Sequence, residues 1–455
     1  MMVASERATR VVARDLLNII VLYYESRQLT ACYTKTMKQL MRNLVCRLLE
    51  RRVRELRARH EFTVVAVAGS VGKTSTKMAI AHVLEAAGKR VRYQEGNYNA
   101  RISVPLVFFG ETMPSLLNVS AWIGVLWRMD RQIAQPFAYD VVVIELGTDG
   151  PGQMAEFAYI QPDITVMSAI SPEHMANFAD MDAVAREEMA VAAYSQKLLV
   201  NVADVAPEYL ANVDYVGYGV DEATEYRAVC VGDSGIVGQK VKITTASGAE
   251  FDITTNYSGR QGATIVLAAA SVADMLGVAT GVIVGVIAKL EPFAGRLQVL
   301  DGVNDSQIID DTYNSSPLAT RAALDVLYAA DALQKIAILG DMNELGETSA
   351  DEHRMLGEYC RADELDYVVT IGVQSREYLA PAAREAGCQV KSFTDPVRAG
   401  EFVRDVLQPG AIILAKGSQN GVFAEEAVKQ LLRNPSDAGK LVRQSEEWMG
   451  KKRFN

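Results

Sequence analysis

The chain has 455 residues, 49% hydrophobic and 22% charged, with a formal net charge of -10; that length exceeds one ordinary hydrophobic core, so a globular protein of two or three domains is expected. The acidic balance argues against general nucleic-acid binding, and no apolar run reaches the roughly 20 residues needed to span a bilayer. With no secretory pattern at the start and five scattered cysteines (Cys32, Cys46, Cys230, Cys360 and Cys388) forming no CxxC pair, the reading is a cytoplasmic protein with reduced thiols.

Residues 1–60 hold thirteen Lys/Arg against five Asp/Glu, which leaves about -18 for the rest. From Val11 to His60 there is no proline or glycine, and apolar residues recur at helical spacing in "LLNIIVLYY" and "LMRNLVCRLLERRVRELRARH". One or two amphipathic helices are expected, read as a helical hairpin packed on the main body with its arginines solvated. Contact with a membrane surface or an anionic substrate is the alternative.

From Phe62 the pattern changes. The runs "FTVVAVAG", "RVRYQEG", "YDVVVIELG", "DITVMSAI" and "QKLLVNV" read as strands alternating with helical stretches, the signature of a parallel sheet flanked by helices. A turn-rich β portion over 214–257 precedes the helix "ATIVLAAASVADML", and beyond "LEPFAGRLQVLDG" a second alternating series begins: "SQIIDD", "KIAILGD", "DYVVTIG", "CQVKSF" and "AIILAKG". The fold class is therefore α/β, in four expected segments: a basic helical segment (1–60), a central ATP-binding domain with a parallel sheet (61–294), a smaller Rossmann-like domain (295–433) and a polar tail (434–455).

The chemistry is concentrated first in "VVAVAGSVGKTSTKMAI", Val64 to Ile80. A strand gives way to a glycine turn and then a helix. Gly69 and Gly72 let the backbone close on phosphate oxygens, and the N–H groups up to Ser75 point inward at the helix N-terminus. Lys73 neutralises terminal phosphates, and the Thr74 hydroxyl ligates Mg²⁺. The spacing is shorter than GxxxxGK[ST] if Gly69 is the first glycine, but the strand and helix around it supply the motif's context. Nucleotide binding follows; the reaction does not.

Further stretches decide it: "EGNYNARISVPL" (95–106), "VIELGTDGPGQMAEFAYIQPDITVMSAISPEHMANF" (143–178), "GRLQ" (295–298), "DDTYNSSPLATRAAL" (310–324), "ILGDMNELGETSADEH" (338–353) and "LAKGS" (414–418). Together with the phosphate loop, over about residues 62–433, the chain resembles the Mur ligases, ATP-dependent enzymes that form amide bonds in peptidoglycan precursors. The resemblance implies that ATP phosphorylates a carboxylate, an amine attacks the acyl phosphate, and amide, ADP and phosphate leave, with Mg²⁺ screening the charge. It is nearest to the branch that joins D-alanyl-D-alanine to a UDP-linked muramoyl tripeptide. The alternatives are another acid or amine, as in ligases acting on folate or building amino-acid polymers, and an inactive nucleotide-binding scaffold.

The resemblance also implies roles. Lys73, Glu145, His174 and Glu188 would be catalytic, and Thr74, Glu145, His174 and Glu188 would surround metal. Arg296 would approach the phosphates, Asp311 the ribose and Tyr313 the base. Asn97 and Asn99 match a substrate-side loop, and Lys416 and Ser418 a segment that closes on the acyl phosphate. "GDMNELG" and His353 carry no assigned step.

Three departures stand out. Where the family carries a carbamoylated lysine, "DAVAREEMAV" has Glu188, expected to supply the carboxylate directly, with Glu187 the alternative. Gln261, Gly262 and Ile265 stand where a His-Asn pair and a further Asn help hold adenine. Instead of a separate domain that grips the UDP end, the front of the chain offers the basic helices.

Overall fold

The computed structural model describes residues 31–94, 96, 98–419 and 421–452. Asn97 and the expected helix before residue 31 lie outside the described residues. The basic segment is one long helix, α1 (Ala31–Arg59), whose apolar stripe of Val45, Leu49, Val53 and Leu56 is wholly buried against the body. Its arginines are not all solvated, contrary to expectation. Arg52 grips Asp130 through two bonds of 2.7 and 2.9 Å, and Arg57 bonds Asp163 at 3.0 Å. Close to the body, a planar fork finds carboxylates that a solvated reading overlooks.

The phosphate loop joins β1 (Thr63–Ala68) to α2 (Lys73–Ala86). Then follow β2 (Val91–Arg92), α3 (Val104–Phe109), α4 (Val119–Ile133), β3 (Val141–Glu145), β4 (Ile164–Met167), α5 (Met181–Met189) and β5 (Leu198–Asn201). Strands β6 (Val216–Val220), β7 (Tyr226–Gly235), β8 (Gly238–Thr244) and β9 (Glu250–Thr255) lead into α6 (Gly259–Met275) and α7 (Thr280–Ile287). All nine strands form one sheet in the order β2-β3-β1-β4-β5-β6-β7-β8-β9, parallel up to β7 and antiparallel beyond.

The second series makes a six-stranded sheet, β10-β11-β15-β12-β13-β14. Its strands are β10 (Gln298–Asp301), β11 (Gln307–Asp311), β12 (Lys335–Gly340), β13 (Tyr367–Ile371), β14 (Val390–Phe393) and β15 (Ile412–Lys416), with α8 (Pro317–Tyr328), α9 (Ser349–Tyr359), α10 (Ala380–Glu385) and α11 (Pro396–Val406) between them. Only β10 runs antiparallel, as an edge hairpin with β11. Helix α12 (Glu425–Leu431) follows β15, and the polar tail beyond it folds back and ends in α13 (Glu446–Lys452).

Both sheets are covered on two faces, which is why their central strands read as unbroken apolar runs. Along β1, Val64, Ala66 and Ala68 enter one core while Val65 and Val67 enter the other; along β12, Ile336 and Ile338 face away from Ala337 and Leu339. In the first sheet the chain leaves β1 toward β2 on one side and returns to β4 on the other. That reversal opens a crevice at the carboxyl ends of β1, β3 and β4. The ends of β11, β12 and β15 face it from the second sheet.

Candidate active site

Between the two sheets lies a polar cleft lined by Ser70–Thr74, Asn99, Glu145 and His174 on one side, and by Arg296, Tyr313–Ser316 and Asn343–Leu345 on the other. Its floor is the phosphate loop. Gly69 has φ 113°, and a Cβ there would sit 2.6 Å from the Ala169 carbonyl oxygen; Gly72, with φ 82°, caps α2. Only glycine admits both the conformation and the approach. Lys73 lies along this loop, donating to the carbonyls of Gly69 and Ser70 and to Glu173 Oε2 at 3.3 Å. Burial disfavours its charge, but the carboxylates of Glu173, Glu188 and Glu145 outweigh that and raise its pKa.

Glu145, at the end of β3, gathers several groups. Its carboxylate accepts from the Thr74 hydroxyl at 3.0 Å and from Asn99 Nδ2 at 3.3 Å, and pairs with Lys77 Nζ at 3.4 Å. Lys77, buried and one helical turn beyond Lys73, is absent from the sequence-based set; its i, i+4 position on α2 was the available signal. Thr74 and Glu145 offer the hard oxygen donors that suit Mg²⁺. Among the described residues no three His, Cys, Asp or Glu side chains already converge as a metal cage. The residues fit an ion that keeps water or phosphate oxygens among its ligands.

The adjacent glutamates of α5 separate cleanly. Glu187 accepts from the backbone N–H groups of Gly152 and Met154, both at 2.6 Å, and from Thr148 Oγ1 at 3.1 Å, so it fixes the loop after β3. Glu188 points to the phosphate loop, where its Oε2 accepts the Gly69 N–H at 3.0 Å. Burial pushes its pKa up to about 7 despite the opposing charge of Lys73.

His174, held at φ 52°, sits among carboxylates: Asp149 and Glu173 at 3.5 Å from Nε2 and Glu344 at 3.1 Å from Nδ1. Burial works against its protonation, but the bond to Glu344 and the charges of Glu173 and Asp149 raise its pKa. Glu344 belongs to "GDMNELG", so this pair ties the two halves. Asp149, Glu173 and Glu344 were not singled out from the sequence, since nothing local marks them.

Across the cleft, the Arg296 guanidinium stacks 4.2 Å from the Tyr313 ring centre, and its buried Nε has no hydrogen-bond partner among the described residues, as befits a donor awaiting an anion. Asp311 and Lys416 do not reach the cleft. They bond each other at 2.5 Å, both buried, with Asp311 also accepting the Leu297 N–H and Lys416 donating to the Asn314 carbonyl. Burial lowers the Lys416 pKa, against the pull of Asp311. Ser418 accepts from the Asn343 N–H and donates to the Ser315 carbonyl, so it braces two cleft loops. His353 is buried with Nε2 accepting the Met342 N–H, and burial lowers its pKa; it shapes "GDMNELG" from behind.

Past Val71, Gly72 and Ala319 the cleft joins a second pocket that includes Ser168, Gln261, Ile265, Arg321 and Val326. It is more apolar, with room for a flat ring beside the phosphate loop. Gln261 and Ile265 thus stand at this wall.

Comparison with known proteins agrees with this arrangement. The family described as Mur ligase middle domain matches residues 67–273, and that described as Mur ligase, glutamate ligase domain matches 295–419. The UDP-N-acetylmuramoyl-tripeptide--D-alanyl-D-alanine ligase of Bacillus subtilis is 24% identical over 381 residues, covering 82% of this chain and 76% of its own. Two crystal structures share the fold: MurF from Acinetobacter baumannii, with TM-score 0.69 and 22% identity over 85% of this chain and 81% of that one, and MurF ligase from Thermotoga maritima in complex with ADP, with TM-score 0.67 and 21% identity over 87% and 83%. With both domains matched in order and the phosphate loop facing the second sheet across one cleft, the chain belongs to the Mur ligases.

Proposed function

We propose that this chain joins the amine of D-alanyl-D-alanine to the terminal carboxylate of a UDP-N-acetylmuramoyl tripeptide, converting ATP to ADP and phosphate. The observation that carries the reading is the cleft itself: a phosphate loop, a strand-end carboxylate and an arginine with no carboxylate partner among the described residues face one another across two sheets, beside a ring-sized pocket. The names of the relatives supply the acid and the amine. A cytoplasmic site of action goes with this use of ATP.

In this reading the γ-phosphoryl group passes to the carboxylate, the amine attacks the acyl carbon, and phosphate leaves as the C–N bond forms. The backbone N–H groups of 69–75 cradle the phosphates, and Lys73 turns from its loop carbonyls to their charge. Thr74 and Glu145 would hold Mg²⁺, which when bound supplies charge neutralisation at the phosphate oxygens. Arg296 adds a second cation from the opposite half. Glu188 buttresses the loop through Gly69 and offers beside Lys73 a carboxyl group that no carbamoylation has to build.

The test is mass spectrometry of products from purified protein, ATP, Mg²⁺, UDP-N-acetylmuramoyl tripeptide and D-alanyl-D-alanine, with Lys73→Ala alongside. A UDP-muramoyl pentapeptide formed only by the wild type is expected. Absence of product with ATP still bound would shift the reading to another acid or amine. ATP binding with no turnover on any carboxylate would leave the scaffold.

A further inference from the structure

The cleft has two exits. One leads past Val71 and Gly72 into the ring-sized pocket. The other leads past Asn99, Gly147 and Asp149 into a groove whose far wall is α1. Gln39, Arg42 and Asn43 look into that groove from the helix, opposite Arg101 and Gln153.

Two arginines, Arg42 and Arg101, and two carboxylates, Asp149 and Glu156, line this groove, so its formal charge is balanced and what matters is which groups are already paired. Arg101 is committed, bonding Glu50 at 2.7 Å and Glu156 at 2.5 Å, and Asp149 lies toward His174. On α1, Arg52, Arg54, Arg57 and Arg59 each have a carboxylate within 4.0 Å. Arg42 is exposed and has no hydrogen bond or ion pair among the described residues. A free guanidinium fork flanked by carboxamides, on a helix fixed by its buried stripe, suits an anionic, oxygen-rich ligand. The acid substrate is such a ligand. The amine, a zwitterionic dipeptide, offers one carboxylate, whereas the acid carries a diphosphate and further carboxylates.

We infer that α1 forms one wall of the acid-substrate site, with Arg42 anchoring an anionic oxygen group of that substrate other than the reacting carboxylate. This rests on the amide-ligase reading above. The chemistry shared by a peptide carboxylate and a diphosphate fits the groove, and the two can be told apart.

The experiment is calorimetric titration of UDP-N-acetylmuramoyl tripeptide, and of N-acetylmuramoyl tripeptide lacking UDP, into the full chain saturated with a non-hydrolysable ATP analogue. Wild type, Arg42→Ala, Arg42→Lys and the solvent-facing control Arg47→Ala are compared. Arg42→Ala is expected to weaken acid binding by about 10- to 100-fold, with Arg42→Lys intermediate, Arg47→Ala near wild type and affinity for the ATP analogue unchanged. An equal loss for both acids assigns the anion to the peptide; a loss confined to the UDP-linked acid assigns it to the diphosphate. Wild-type affinity in Arg42→Ala would overturn the inference while leaving the ligase reading intact. If the wild type binds neither acid, the ligase reading itself fails and the inference falls with it.

Discussion

At the scale of single residues, neighbours in sequence do unrelated work. Glu187 spends its carboxylate on three loop donors, whereas Glu188 holds one phosphate-loop N–H and faces Lys73. A carboxylate already in place needs no carbon dioxide to make it. Activity measured in CO₂-depleted buffer should equal that in bicarbonate, while Glu188→Lys should be nearly inactive without bicarbonate and partly restored by it. A wild type that loses activity on depletion would remove Glu188 from this role. Asp310 makes a second, separate prediction. Its Oδ1 accepts from Thr312, its Oδ2 has no partner among the described residues, and burial pushes its pKa from 3.8 up to about 6. Between those values the folded state keeps a proton that the unfolded chain has released, so stability falls as pH rises, by about 3 kcal/mol in all. Asp310→Asn removes that slope. Denaturant midpoints of the two proteins, compared at pH 4 and 7.5, should shift in favour of the variant at the higher pH.

At the scale of elements, what the sequence made legible is what is local. The phosphate loop could be read because strand, glycines, lysine and helix are contiguous, and β1, β3 and β12 because two covered faces demand unbroken apolar runs. The Asp311–Lys416 pair could not, since its members lie 105 residues apart and meet only because β11 and β15 are adjacent. The same holds for the tail, which by composition is only polar. In the fold, Arg443 donates to the carbonyls of Thr312 and Tyr313 at 2.5 and 2.9 Å while its other bonds reach Glu425, which is fully buried. Lys452 also pairs with Glu425, at 2.7 Å. The tail is thus a strap across the loop that carries Tyr313 into the cleft. Arg443→Ala should leave Glu425 with Lys452 as its remaining cation and leave two carbonyls without their donor, lowering stability by about 2 kcal/mol. It should also raise the KM for ATP several-fold as Tyr313 and Arg296 loosen. Steady-state kinetics with a thermal melt checks both, and a lowered melting point with unchanged KM would reduce the strap to a purely structural role.

For the whole molecule, the question is whether the seam between the two halves is the reacting arrangement. Two contacts mark it. His174 meets Glu344 at 3.1 Å, and two residues on, Gly346 has φ 56° with a would-be Cβ only 2.8 Å from the Ala176 backbone nitrogen. Backbone cannot swing aside as a side chain can, so Gly346→Ala must either push the halves apart or distort the loop bearing His174. Since reacting groups come from both sides, a displacement of about 1 Å costs about 100-fold in rate. The nucleotide pocket also draws on both halves, Gly72 and Gln261 from the first and Val326 from the second, so its affinity should fall as well, though less than the rate. A positive-φ glycine replaced by alanine also carries a local backbone penalty of about 1 kcal/mol, which a control separates. Gly410 has φ 75° with open space where its Cβ would go, so Gly410→Ala bears the same penalty without touching the seam. The expected outcome is a large fall in kcat for Gly346→Ala, a smaller weakening of ATP-analogue binding, and near-normal kcat for Gly410→Ala. A wild-type rate in Gly346→Ala would mean that the halves react in a more open arrangement, in which the His174–Glu344 contact belongs to a resting state.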